Sequence, residues 1–306
     1  MKNDKLSRRE FVRDSAIAAA GLAVGLGAAG GQSAQAVETH EATKVGTLIR
    51  RTRSYNPEME YRRLGNTGLW VSCVCLGGHW KRIDKMVPGV FKGRGWLSAD
   101  LESEGFRKNR RDVVSRCIEC GINYIDACTK EEVMAYSEAL RGRRDSMYLG
   151  FSWYQEEIRN KNFRTRDALL KTLDKGMQEA KLDYVDLWRI TMYEQSGKHT
   201  ARDVDEMMSA LEKARQQGKV RFTGLSSHDR RHIKLMIETY PTIVQVVVSP
   251  YTAKSKVLPK DSVFDAIKEH DVGFFGIKPF ASNTLFKGDS SLGNPHQEED
   301  DRREWG

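Results

Sequence analysis

From Tyr61 onward the chain alternates short apolar or β-branched runs with amphipathic stretches, and this alternation restricts the fold more than any other feature. Strands are expected over 71–77, 123–127, 147–153, 184–191, 220–226, 243–249 and 272–278. Strands mostly separated by helices cannot pair as tight hairpins, so a parallel sheet follows. The helical stretches have the matching period: Val204, Met207, Met208, Leu211 and Ala214 fall on one face, and Gly218 stops the helix. Ile233, Met236, Ile237 and Tyr240 repeat the pattern. Either an open doubly wound sheet or a closed barrel accommodates such a series. The run from Val71 to Gly78 lacks the GxGxxG turn of a dinucleotide-binding open sheet, which favours an α/β fold of the (β/α)8 TIM barrel kind. Seven strand-helix units are evident; after Lys278 an acid-rich stretch closes the chain at Gly306, so the barrel is expected to be C-terminally incomplete.

A chain of 306 residues, 39% hydrophobic and 30% charged, can bury one substantial core, which excludes disorder and collagen-like repeats. The net charge is +8, and the first 36 residues hold five of the basic and three of the acidic side chains, leaving +6 without them. These charges are scattered among acids rather than gathered in a stripe, so no nucleic-acid partner is expected. Five cysteines, Cys73, Cys75, Cys117, Cys120 and Cys128, form neither a disulfide framework nor a paired CxxC metal motif, and no metal is expected. Cys117 and Cys120 fall at helical spacing with Val113 and read as a helix face.

The N-terminus reads Ser7-Arg8-Arg9-Glu10-Phe11-Val12, then an uncharged Ala/Gly-rich run from Ser15 to Ala36. It resembles a twin-arginine signal peptide with cleavage after Ala36. The resemblance implies a periplasmic or otherwise extracytoplasmic protein, passed folded through export machinery, often with its cofactor in place. Residues 1–36 are thus expected as signal peptide, 37–58 as a polar linker and 59–306 as the barrel.

Several segments, in order, carry a family resemblance. Tyr61-Arg62-Arg63-Leu64-Gly65-Asn66-Thr67-Gly68, with Val71-Ser72 and Leu76-Gly77-Gly78, resembles the opening hairpin and first strand of aldo-keto reductases. Gly121 to Ala127 resembles their second strand, Leu182 to Leu187 the fourth, and Gln217 to Arg221 with Gly224-Leu225-Ser226 the fifth. The resemblance implies NADP- or NAD-linked reduction of a carbonyl, with a tyrosine acid, a lysine, an aspartate and a histidine at the mouth.

Asp126 fits the aspartate, whereas Glu131, Ser152 and Thr191 stand where the tyrosine, lysine and histidine are implied; the nearest phenol is Tyr136. Asp126, His79 and Lys278 are the catalytic candidates of this altered set, and Trp80, Ser226, Ser227, Gln245 and Lys278 the cofactor-binding ones. Cys128 follows the second strand; Arg189 is read as a partner for an acid such as Glu194, and His228 as a cap on the helix after the fifth strand. The long loop from Lys81 to Gly105, with Lys81, Arg82, Lys85, Lys92, Arg94, Phe91 and Trp96, reads as a lid favouring an anionic or sugar-like small molecule. An exported NAD(P)-linked oxidoreductase is the leading reading. A non-catalytic ligand-binding barrel, pseudoenzyme or truncated form, and a lyase or isomerase with a tightly held cofactor stay open beside it.

Overall fold

A computed structural model describes residues 44–80, 83–93, 99–193, 198–251 and 262–279. The signal peptide expected over 1–36, and the end of the chain where an eighth strand would fall, lie outside the described residues. No helix among the described residues is long and apolar enough to cross a membrane.

An antiparallel hairpin of β1 (Tyr61–Arg63) and β2 (Trp70–Ser72) precedes a parallel sheet of seven strands in sequence order. These are β3 (Leu76–Gly77), β4 (Tyr124–Asp126), β5 (Tyr148–Phe151), β6 (Val185–Thr191), β7 (Val220–Ser226), β8 (Val246–Pro250) and β9 (Gly273–Ile277). The intervening helices are α1 (Glu104–Glu119), α2 (Lys130–Ala139), α3 (Arg166–Glu179), α4 (Ala201–Gln216), α5 (Arg230–Thr239) and α6 (Val263–Glu269). Threonine or serine caps start α2, α3, α4 and α6, each side chain accepting a backbone N–H of the first turn. The expected first strand divides in two: residues 70–72 belong to the hairpin and only 76–77 to the barrel, with Ser72 Oγ donating to the Val74 carbonyl at the bend between them.

Side-chain alternation along the strands separates two cores. Ile125, Leu149, Trp188, Ile190, Leu225 and Val247 face outward into the layer shared with the helices. Tyr124, Tyr148, Leu187, Phe222 and Val246 face inward, where Leu64, Leu69 and Val71 of the hairpin close the floor. Since successive residues point to opposite faces, Asp126, Gly150, Arg189 and Thr191 also face inward, one or two steps nearer the C-terminal mouth. Tyr124 stacks on Phe275 with ring centroids 4.2 Å apart, joining β4 to β9 across the interior.

Part of the expected linker docks on the barrel floor, through Thr52, Arg53, Ser54 and Asn56. Arg53 reaches Asp186 at 3.1 Å and the Met147 carbonyl at 2.8 Å, and lies 4.5 Å over the Tyr148 ring. Arg144 at 2.6 Å and Arg221 at 2.9 Å also hold the fully buried Asp186, which accepts the Leu149 N–H as well. Composition could not reveal this docking, because the segment's contacts are made by arginine, serine and asparagine rather than by an apolar stripe.

Burial alone would raise the Asp186 carboxyl, but the charges of Arg144, Arg53 and Arg221 outweigh it and hold it well below the ordinary carboxylate range. A carboxyl depressed in the folded state stabilises fully above its unfolded value, about 4, and that contribution is lost as the pH falls toward the folded value. Asp186→Asn is therefore expected to cost about 3 kcal/mol in urea unfolding at neutral pH, by leaving three arginines around an uncharged amide, and to flatten the acid limb of the stability profile. Gly150 gives a second check, since a Cβ there would lie 2.2 Å from the Tyr124 hydroxyl. Gly150→Ala is expected to destabilise by about 1–3 kcal/mol, measured the same way.

Candidate active site at the barrel mouth

Asp126 ends β4 and Arg189 lies near the end of β6, and their side chains meet inside the barrel. The guanidinium grips the carboxylate at both oxygens, Nε to Oδ1 at 2.8 Å and Nη2 to Oδ2 at 2.6 Å. Arg189 is almost fully buried and the Asp126 side chain 21% exposed, so the carboxylate is the partner facing the mouth. Burial alone would lower the Arg189 guanidinium; Asp126 outweighs that and raises it above the ordinary arginine range. The cation beside Asp126 is thus an arginine from β6. Glu194, the acid considered for it from the sequence, lies outside the described residues.

The remaining guanidinium nitrogen donates to Thr191 Oγ1 at 2.8 Å, Thr191 Oγ1 is 3.0 Å from Ser152 Oγ, and Ser152 donates to Glu157 Oε2 at 2.6 Å. An arginine can only donate and Ser152 gives its proton to Glu157, so Thr191 donates to Ser152 and the hydroxyls align in one direction. Glu157 is fully buried and also accepts the Trp153 and Thr191 N–H groups and the Trp188 indole N–H. Burial pushes its carboxyl above the ordinary range against the pull of these bonds. Ser152 and Thr191, at the positions where a lysine and a histidine are implied, therefore form a hydroxyl bridge between a buried arginine and a buried glutamate.

A second cluster sits where β3 and β4 end. Glu132, in the first turn of α2, accepts the backbone N–H of His79 at 2.6 Å and of Cys128 at 2.7 Å, and His79 Nδ1 lies 2.8 Å from its Oε1. His79 is half exposed and holds a left-handed backbone, φ 59°, which turns its ring back onto Glu132. Gly78 makes room, since a Cβ there would fall 2.0 Å from the Glu132 carboxyl carbon. Burial first, and Glu132 next, push the Cys128 thiol up, so it is held as a thiol. Glu131, the residue in the implied tyrosine position, accepts from Gln155 Nε2 at 3.2 Å.

Several expected site residues lie elsewhere. Trp80 is a core residue, edge-on to Phe106 and Tyr136 with Arg110 at 5.6 Å over its ring; the turn at His79 carries it into the layer between sheet and helices. The Tyr136 hydroxyl donates to the Gly77 carbonyl at 2.7 Å, and burial raises its pKa, so the nearest phenol is not presented at the mouth. Gln245 precedes β8 at its floor end, with Oε1 accepting the Thr223 N–H; the residue opposite Ser226 is Val248. Ser227 Oγ donates to the Tyr193 carbonyl at 2.9 Å and accepts the Asp229 N–H, which makes it a turn residue. The cap of α5 is Asp229; His228 instead places Nε2 3.0 Å from Lys278 Nζ, joining the mouth ends of β7 and β9. Lys278 is left-handed at φ 54°. In the long loop after β3, Val90 and Ala99 are buried and Phe91 bridges Ala99, while Lys81, Arg82, Arg94 and Trp96 lie outside the described residues.

Sequence reasoning passed over Glu132 and Glu157, and read Arg189 as paired to an acid without identifying Asp126 as that acid. The signals were present for two of them. Thr129-Lys130-Glu131-Glu132 has the helix-start pattern whose last glutamate reaches back to an amide, and Arg189 is a cation between Trp188 and Ile190 in a strand, which must find a buried counterion. Glu157 gave no such signal, because its partners are split between β6 and the segment just after β5.

A sequence profile of the aldo/keto reductase family matches residues 99–305. An L-glyceraldehyde 3-phosphate reductase of Escherichia coli is 23% identical over 254 residues, 75% of this chain and 65% of that protein. An aldo-keto reductase of Schizosaccharomyces pombe named for NADP(+) is 29% identical over 120 residues, 39% of this chain and 34% of that one. A holo-form aldo-keto reductase structure from Bacillus halodurans superposes with a TM-score of 0.53 at 20% identity, covering 72% of this chain and 66% of that one, a likeness of fold. The chain thus spans no more than about two thirds of the length of these relatives. The curled parallel sheet is of the (β/α)8 type, and the chain belongs to the aldo/keto reductase family.

Proposed function

We propose that this chain is an exported NADP(H)- or NAD(H)-linked oxidoreductase that interconverts a small carbonyl and alcohol, anionic or sugar-like, with an altered set of mouth residues. The observation that carries the reading is the inward-facing Asp126, held by a buried cation at the end of β4 where catalytic groups of such barrels project. The family typically uses NADP(H). The residues fit a dinucleotide on the β7–β9 side: Lys278 and His228, 3.0 Å apart at the strand ends, suit its phosphates, and Ser226 at the end of β7 suits its carboxamide. Val248 opposite Ser226 supplies no second amide contact. When bound, the nicotinamide supplies hydride to a carbonyl carbon.

This chain's residues must then orient the carbonyl, exclude water and balance charge at its oxygen. His79, fixed through Nδ1 by Glu132, orients the oxygen; Asp126, fixed by Arg189, faces it; Lys278 holds the anionic end of the cofactor. The basic loop between β3 and α1 is the lid of this reading, and among its described residues Ile83, Val90 and Ala99 are buried. Export through the twin-arginine leader is part of the same proposal, motivated by the Arg8-Arg9 pair and the small-residue run behind it.

One observation favours a second reading, a barrel that binds without reducing: Glu131, Ser152 and Thr191 occupy the implied positions of the acid, the cation and the histidine, and Tyr136 is sealed in the core. Titration of the protein with NADPH and NADH, followed by tryptophan fluorescence, separates the two when paired with a carbonyl-substrate screen. Saturable quenching weakened about ten-fold in Lys278→Met, a loss of about 1.4 kcal/mol, is expected for the oxidoreductase. Folded protein that binds neither nucleotide and reduces nothing contradicts it.

A further inference from the structure

We propose that His79, Cys128 and Glu132 form a binding site for a divalent transition metal, zinc foremost, at the mouth ends of β3 and β4. The inference goes beyond the oxidoreductase reading and stands whether or not a dinucleotide binds. His79 Nδ1, Cys128 Sγ and a Glu132 carboxylate oxygen all lie within 4.8 Å of one another, with Nδ1 2.8 Å from Oε1 and 3.9 Å from Sγ. Around a tetrahedral zinc with bonds of about 2.0–2.3 Å, such atoms stand roughly 3.3–3.5 Å apart. Side-chain adjustments of about half an ångström therefore open the Nδ1–Oε1 contact, and shifts of up to about 1.3 Å draw the sulfur in.

The pre-existing bonds favour this use. Glu132 takes the backbone N–H groups of both other ligands, so one carboxylate sets the spacing of all three before an ion arrives. The left-handed backbone of His79 and the missing side chain of Gly78 are both needed to bring Nδ1 and the carboxylate together. Thiolate, imidazole and carboxylate together suit a borderline-soft ion and disfavour calcium or magnesium, which take oxygen ligands. The spacing hid the site from sequence motifs, since Cys128 and Glu132 are 4 residues apart but His79 comes from another strand end, 49 residues before Cys128.

Three protein ligands leave a position for water or a substrate oxygen, as catalytic rather than structural zinc sites do. Binding displaces the proton of the Cys128 thiol, so the ion is held by a thiolate, an imidazole and a carboxylate with no change in oxidation state. Such an ion would polarise a substrate carbonyl or hydroxyl oxygen next to Asp126, the work that a tyrosine and lysine are implied to do in the family.

The test is a titration of the metal-stripped full chain with cobalt(II), read by absorption. The expected result is saturation at one equivalent with a thiolate-to-cobalt charge-transfer band and the ligand-field bands of a low-coordinate site, displaced by zinc. Cys128→Ser, shown folded by circular dichroism, is expected to lose the charge-transfer band, and His79→Gln to bind at least about ten-fold more weakly. A Cys73→Ser/Cys75→Ser variant is expected to keep the band. Folded protein without saturable binding near one equivalent, or a spectrum that survives Cys128→Ser, overturns the proposal and leaves Glu132 as a hydrogen-bonded clamp only.

Discussion

The interior of this barrel depends on the grip of Arg189 on Asp126. Arg189 sits on the inward face of β6, almost fully buried, and a guanidinium there costs several kcal/mol unless a charge and hydrogen bonds answer it. Asp126 answers with both oxygens from two strands away, and Thr191 takes the remaining nitrogen. The pair crosses over β5, which explains why that strand presents Gly150 at the same level: a Cβ there would lie 3.2 Å from Asp126 Oδ1 and still closer to Tyr124. The charge at the mouth and the packing of the interior are set by the same contact.

Charge is also used at the opposite end. Asp186 at the floor draws in Arg53, Arg144 and Arg221, and through Arg53 ties the segment before the hairpin to β5 and β6. The floor cluster is enclosed and surrounded by tyrosines, as suits a structural clasp. At the mouth, Asp126 and His79 keep partial exposure, as suits groups that meet a ligand. Glu132, Glu157 and Asp126 each tie a strand end through side-chain hydrogen bonds.

The strand alternation was legible in the sequence because β-branched runs and helical spacing report burial directly. Val220–Ser226 matches the expected span, the expected 71–77 divides between the hairpin and the barrel, and the others differ by a few residues at their ends. The site was less legible, for local reasons. Trp80 was misplaced because the left-handed turn at His79 redirects the chain just before it. Gln245 was misplaced because a strand's level in the sheet is set by its partner's register: Ser226 pairs with Val248, three residues further on. Counting residues from a family motif puts Ser152 and Thr191 in the lysine and histidine positions but cannot show that a buried arginine from the next strand supplies the cation.

The most direct measurement of this account is a double-mutant cycle for folding stability with Asp126→Asn, Arg189→Met and the combination. A bidentate pair that organises the barrel interior predicts strong coupling, with the double variant recovering about 2 kcal/mol or more of the summed single losses. Losses that add within about 0.5 kcal/mol would contradict it and reduce the pair to a passive contact.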